Sequence, residues 1–141
     1  MRRFVLDCSV VMSWCFEDEA DAYADSVLFL LADAEAVVPS IWTLEVANVL
    51  LVAERKRRLT KAGTIRFIKL LRGLPIIIDQ ETPDFVFHEV LSIGRQYGLS
   101  AYDAAYLELA MREGTPLATR DLGLHQAALQ CGVELVQVEA P

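Results

Sequence analysis

Long apolar runs are missing from this 141-residue sequence. The longest purely apolar stretch, Val27 to Ala32, falls far short of the ~20 residues that a membrane-spanning helix needs. At the N-terminus, Met1-Arg2-Arg3-Phe4-Val5-Leu6-Asp7 places an aspartate after only three apolar residues, which leaves no apolar core for a secretion signal. The expectation is a soluble, cytoplasmic protein. Cysteine is scarce: Cys8, Cys15 and Cys131 form no CxxC pair, and neither His88 nor His125 has a neighbouring cysteine. A disulfide framework and a zinc site of the Cys/His type are therefore excluded, and the three thiols read as reduced, small apolar residues. The seven glycines and five prolines are scattered singly, with no linker, repeat or low-complexity tract, so residues 1–141 read as a single domain. No Gly-x-Gly-x-x-Gly follows the first strand, which removes the main support for a dinucleotide site.

What is present is apolar and unevenly charged. The hydrophobic share is 54% with a mean hydropathy of +0.33, against a usual share of roughly 45–50%, so the chain has a core to bury and is not disordered. Thirteen basic and 20 acidic side chains give a net charge of −7, which does not suggest a general nucleic-acid binder. The distribution modifies that conclusion. Eight of the 13 basic residues lie between Arg55 and Arg72 in a stretch without a single acid, while seven acids crowd Glu17 to Glu35.

Short β-prone runs alternate with helical ones. Strands are expected at Arg3–Leu6, Ala36–Val38, Pro75–Ile78, Pro116–Thr119 and Val133–Val136. Helices are expected at Asp18–Ala34, Ile41–Arg58, Lys61–Arg72, from Thr82-Pro83 onward, Ser100–Glu113 and Leu122–Gln130. This alternation implies an α/β fold with a central, mainly parallel sheet flanked by helices on both faces. In such sheets the ligand site lies outside the carboxyl ends of the strands, and those positions are acidic here. Asp7 follows the first strand, Asp121 lies just beyond Thr119, Glu45 falls in the helix after the second strand, and Asp103 in the helix before Pro116.

Each acid has a local structural explanation as well. Asp7 can bond a turn, and the Ser9 hydroxyl can cap it. Ser100-Ala101-Tyr102-Asp103 fits a capping box, and Asp121 can cap the Leu122 helix. Glu45 interrupts an apolar run with Asn48 three residues on, on the same helix face. Taken together, four acids at one sheet edge repel each other unless a cation neutralises them. Hard oxygen donors without His or Cys point to Mg²⁺ or Mn²⁺, and the chemistry that needs such a site is phosphodiester hydrolysis.

The segments Phe4-Val5-Leu6-Asp7-Cys8-Ser9-Val10, Glu45-Val46-Ala47-Asn48-Val49-Leu50, Leu99-Ser100-Ala101-Tyr102-Asp103-Ala104-Ala105-Tyr106 and Leu117-Ala118-Thr119-Arg120-Asp121, in this order, resemble the successive motifs of PIN-domain ribonucleases. More narrowly, they resemble the VapC toxins of VapBC toxin–antitoxin pairs. The resemblance implies a PIN-like fold and a Mg²⁺- or Mn²⁺-dependent endoribonuclease. Asp7, Glu45, Asp103 and Asp121 match the catalytic, metal-binding acids, and Ser9 and Thr119 match the hydroxyl residues that support them. It also implies a homodimer and a VapB-like antitoxin, with operator DNA contacted only through that antitoxin. A non-catalytic PIN scaffold that binds RNA or a partner is the alternative, and retention of all four acids argues against it. A haloacid-dehalogenase-like phosphatase would have a second acid where Ser9 stands.

Other features have two readings each. Arg55, Lys56, Arg57 and Arg58 either complement a helix C-terminus or contact RNA phosphates. Asn48 is a candidate supporting residue for the acids. Tyr97, Tyr102 and Tyr106 either pack or stack on bases. Leu28 to Leu31, and Met12, Trp14 and Phe16, belong either to the core or to a partner surface.

Overall fold

The computed structural model describes residues 2–137, and its sheet is wholly parallel in the order β3-β2-β1-β4. β1 is Arg2–Leu6, β2 Ala34–Val38, β3 Ile76–Ile78 and β4 Leu117–Ala118. Phe4 pairs with Ala36, Val37 with Ile77, and Leu6 with Ala118. The segment expected as a fifth strand, Val133–Val136, forms an isolated parallel bridge between Leu135 and Leu117 rather than a strand. It still extends the sheet, since Leu117 N–H donates to the Glu134 carbonyl and Val136 N–H to that of Leu117, both at 2.8 Å.

Helices cover the sheet as the alternation predicts: α1 Cys8–Cys15, α2 Ala22–Leu30, α3 Trp42–Arg55, α4 Lys61–Arg72, α5 Thr82–Phe85, α6 Leu91–Tyr97, α7 Ala101–Glu113 and α8 Leu122–Cys131. A π-helical turn, Val86–Val90, joins α5 to α6. α7 is the most deeply set, with every residue from Ala104 to Ala110 buried. Its start is fixed by Gly98, whose left-handed backbone (φ 66°) ends α6, and by Ser100, whose hydroxyl accepts from the Asp103 amide at 3.1 Å.

The helical pattern departs from expectation in three places. α1 was not foreseen, because Cys8-Ser9-Val10-Val11-Met12-Ser13-Trp14-Cys15 is apolar around most of its circumference and shows no helical period. The single helix expected over Asp18–Ala34 is instead a 3₁₀ turn at Glu17–Glu19 followed by α2. The Asp21 side chain accepts from the Ala24 amide at 2.6 Å and restarts the helix there. α3 ends at Arg55 rather than Arg58 because Arg57 adopts a left-handed backbone (φ 60°). Met12, Phe16 and Leu31 are buried, and Trp14 donates to the Ala24 carbonyl at 2.7 Å, so these residues belong to the core. Phe29 alone of Leu28–Leu31 is exposed.

Candidate active site

Asp7 is placed by β1 and lies 4% exposed at the carboxyl end of the sheet, its amide donating to the Ala118 carbonyl at 3.0 Å. Its carboxylate makes no side-chain cap bond to α1. Instead Oδ2 accepts from the hydroxyls of Ser9 and Thr119, both at 2.7 Å. Each hydroxyl is oriented in turn by a backbone amide, Ser9 Oγ accepting from Arg120 and Thr119 Oγ1 from Asp121, both at 3.0 Å. The loop after β4 therefore holds one oxygen of Asp7 through two hydroxyls, and neither hydrogen bond uses Oδ1.

Glu45 enters from the first turn of α3, half-buried, and its Oε1 accepts a 2.5 Å hydrogen bond from the buried Tyr106 hydroxyl. Asp103 lies in the first turn of α7, three residues before Tyr106, so the two face the same side of that helix. Asp121 caps α8 through Oδ2, which accepts from the Leu124 amide at 2.8 Å. Capping uses only Oδ2 of Asp121, so its second oxygen lies outside that bond.

The electrostatics mark these acids as one group. Burial raises the carboxyl of Asp7 above its ordinary range, opposed by the Ser9 and Thr119 bonds and reinforced by Asp121. Burial also raises Glu45, opposed by Tyr106 and reinforced by Asp7 and Asp103. Asp103 is pushed up to about 6 by burial and by the charges of Asp7 and Asp121. The charges that raise these three carboxyls are those of Asp7, Asp103 and Asp121. Asp79 is a contrast. It follows β3 at the same edge, but Arg112 bonds both its oxygens at 3.2 and 2.8 Å and holds its carboxyl below the usual range.

This donor set fits a hard divalent cation: four carboxylates, no imidazole, and a surplus of negative charge. Among the described residues no three His, Cys, Asp or Glu side chains converge closely enough to hold an ion unaided. That is compatible with Mg²⁺, which usually needs only one or two carboxylates and keeps water or phosphate oxygens for the rest. Cys8 adds no nucleophile, since burial pushes its thiol to about 12.

Of the three polar residues named beside the acids, Ser9 and Thr119 bond Asp7, whereas Asn48 is exposed on the wall of the cleft beside Glu45, whose hydrogen bond comes from Tyr106. Tyr106 is the residue that sequence reasoning missed in this role; its spacing of three from Asp103 was the available signal. In the basic stretch Arg55, Lys56 and Arg57 are exposed. Arg58 is engaged within the chain, bonding Asp18 at 3.1 Å and Glu19 at 3.0 Å and lying 4.2 Å from the Phe16 ring centroid. No helix among the described residues is long and apolar enough to cross a membrane.

No curated protein matches the sequence significantly. Solved structures do share the fold. PAE2754 from Pyrobaculum aerophilum is 22% identical with a TM-score of 0.65, covering 89% of this chain and 86% of its own. VapBC2 from Rickettsia felis, solved bound to a promoter DNA fragment, is 17% identical with a TM-score of 0.67, covering 95% and 97%. FitAcB from Neisseria gonorrhoeae is 18% identical with a TM-score of 0.63, covering 95% and 96%. At these identities the likeness is one of fold. The family match is independent of it and takes in all four acids: the PIN domain family matches residues 4–129, and the chain belongs to that family.

Proposed function

We propose that this PIN domain is a Mg²⁺- or Mn²⁺-dependent endoribonuclease of the VapC toxin type, hydrolysing RNA phosphodiester bonds and restrained by a VapB-like antitoxin. The observation that carries the reading is the coupling of acids beyond the strand ends: Asp7, Glu45 and Asp103 have raised carboxyls, and the charges that raise them, besides burial, are those of Asp7, Asp103 and Asp121. A bound divalent ion supplies Lewis acidity, lowering the pKa of a water and offsetting charge on phosphate oxygens.

The chain's own residues then have distinct tasks. Ser9 and Thr119 hold Asp7 through Oδ2, and the Asp7 carboxylate would be one ligand of the ion. Tyr106 fixes the rotamer of Glu45. Asp103 and Asp121, at the starts of α7 and α8, add their negative charge to that of Asp7 and Glu45. Exposed Arg55, Lys56 and Arg57 offer phosphate contacts that position RNA without reading its sequence.

The antitoxin reading is supported by the kinds of protein that share the fold, among them a toxin–antitoxin complex from Klebsiella pneumoniae, 18% identical with a TM-score of 0.56 and covering 83% of this chain and 85% of its own. It is also supported by an apolar groove of about 510 Å³ between α3, α4 and β3, walled by Trp42, Val46, Leu50, Ile68 and Leu71. Such a groove suits the apolar face of a partner helix. The protein working as one domain and as a homodimer belongs to the same proposal.

The test is incubation of the purified protein with a mixed pool of structured RNAs in Mg²⁺, Mn²⁺ or EDTA, beside Asp7→Ala. Metal-dependent fragments from the wild type alone are expected. Binding without fragments under every condition would favour the non-catalytic scaffold instead.

A further inference from the structure

We infer that the cleft beside Glu45 is a nucleobase subsite with the Tyr102 ring as its stacking platform. The inference rests on the ribonuclease reading and adds to it the place of one base.

Three observations converge. First, the residues flanking the acids in sequence are large, apolar and exposed: Leu44 beside Glu45 is 74% exposed, and Tyr102 beside Asp103 is 61% exposed. Exposed side chains of this size at an active-site rim lose water favourably only when something flat or apolar covers them. Second, both line one cleft of about 440 Å³, together with Ile41, Val49, Glu45 and Asn48. The lining holds no lysine or arginine and includes a carboxylate. A phosphate is therefore repelled from this cleft, whereas a neutral ring stacks on Tyr102 and meets the Asn48 amide, which offers a donor and an acceptor to a base edge. Third, Asn48 and Val49 also wall a second, smaller hollow of about 210 Å³, whose lining includes Lys56 and Arg58. Along α3 the order is thus acid cluster, neutral ring site, positive charge, which matches a single strand whose base is inserted at Tyr102 and whose phosphates run on toward Lys56.

The other tyrosines do not compete for this role. Tyr106 is fully buried on Glu45, and Tyr97 packs against the core. Tyr102 alone of the three presents its ring to solvent.

The experiment measures binding of a short, unstructured, labelled oligoribonucleotide in EDTA, which prevents hydrolysis, by wild type, Tyr102→Phe and Tyr102→Ala. A set of oligonucleotides carrying a single abasic nucleotide at successive positions accompanies it. Loss of one stacked base costs about tenfold in affinity. Tyr102→Ala should bind about tenfold more weakly, Tyr102→Phe should bind like the wild type, and one abasic position should cost the wild type tenfold but the alanine variant nothing further. Equal affinity of wild type and Tyr102→Ala, or an abasic penalty that persists in the variant, would overturn the subsite while leaving the ribonuclease reading intact. Loss of association with a protein partner in Tyr102→Ala, with RNA affinity unchanged, would also overturn it and assign the cleft to that partner. A wild type that neither binds RNA in EDTA nor cuts it with Mg²⁺ would remove the ribonuclease reading and this subsite together.

Discussion

Tyr106 donates a 2.5 Å hydrogen bond from its buried hydroxyl to Oε1 of Glu45, joining α7 to α3 across 61 residues of sequence. The bond sets the direction of a carboxylate that the repulsion of Asp7 and Asp103 would otherwise push toward solvent. Tyr106→Phe removes the bond and keeps the ring, so the core stays filled. Cleavage should fall by about 10- to 100-fold, as is usual when the partner that orients a metal-site ligand is lost. Circular dichroism should show the fold retained, and wild-type activity in the variant would show that Glu45 needs no such support.

Thr119 has a heavier structural role because its hydroxyl both donates to Asp7 and accepts from the Asp121 amide. Thr119→Val conserves shape, removes one of the two hydroxyls that bond the buried Asp7 carboxylate and leaves the Asp121 amide without its acceptor, at a cost of about 1–3 kcal/mol. A urea melt in the presence of EDTA measures this without any contribution from the ion. Ser9, half-buried, should cost less when changed to Ala, and the reverse order would contradict the placement of the two hydroxyls.

The pH dependence follows from the raised carboxyls. Asp103 titrates near 6 when folded against an ordinary 3.8, so the native state holds its proton longer than the unfolded chain does. The contribution of these acids to the stability of the metal-free protein should therefore be greatest below that window and fall as pH rises from 3.8 toward 6, whereas Asp79, with its lowered carboxyl, contributes in the opposite sense on acidification. Asp7 and Glu45 are shifted in the same direction as Asp103. Thermal melts in EDTA should decline over this range, Asp103→Asn should flatten the decline, and Mg²⁺ should raise the melting temperature more at pH 7 than at pH 5. Coincident melts with EDTA and Mg²⁺ at pH 7 would deny the repulsion.

Much of this was legible in the sequence and some was not, for physical reasons. α4 was found with its ends correct because Thr60 caps it, Gly73 follows it, and its apolar residues recur at helical spacing. The parallel topology was legible too, and it is what sends Asp7 and Asp79 to the same edge of the sheet. α1 escaped because a helix buried on most sides has no polar stripe to mark it. The tasks of Tyr106 and Arg58 also escaped, since each depends on a partner about forty or more residues away. Spacing along one helix cannot reveal a contact between two.

Arg112 is the counterpart of the acid cluster, a place where the fold neutralises its carboxylates itself. It bonds Glu108 at 2.8 Å and Asp79 at 2.8 Å, and its guanidinium lies 4.1 Å from the Phe85 ring centroid. Arg112→Met leaves the buried Glu108 without its cation and should destabilise the protein by about 3–5 kcal/mol. Chemical denaturation measures this, and a change of only a few tenths would show that the network is dispensable.

The central claim is that Asp7, Glu45 and Asp103 act as one metal-dependent hydrolytic site. Single-turnover cleavage of a defined RNA, titrated with Mn²⁺, tests it most directly in wild type, Asp7→Asn, Glu45→Gln and Asp103→Asn. Each variant should lose cleavage by several orders of magnitude while remaining folded, and any residual activity should need more Mn²⁺ than the wild type does. Wild-type rates in any of the three at the same Mn²⁺ concentration would contradict the assignment.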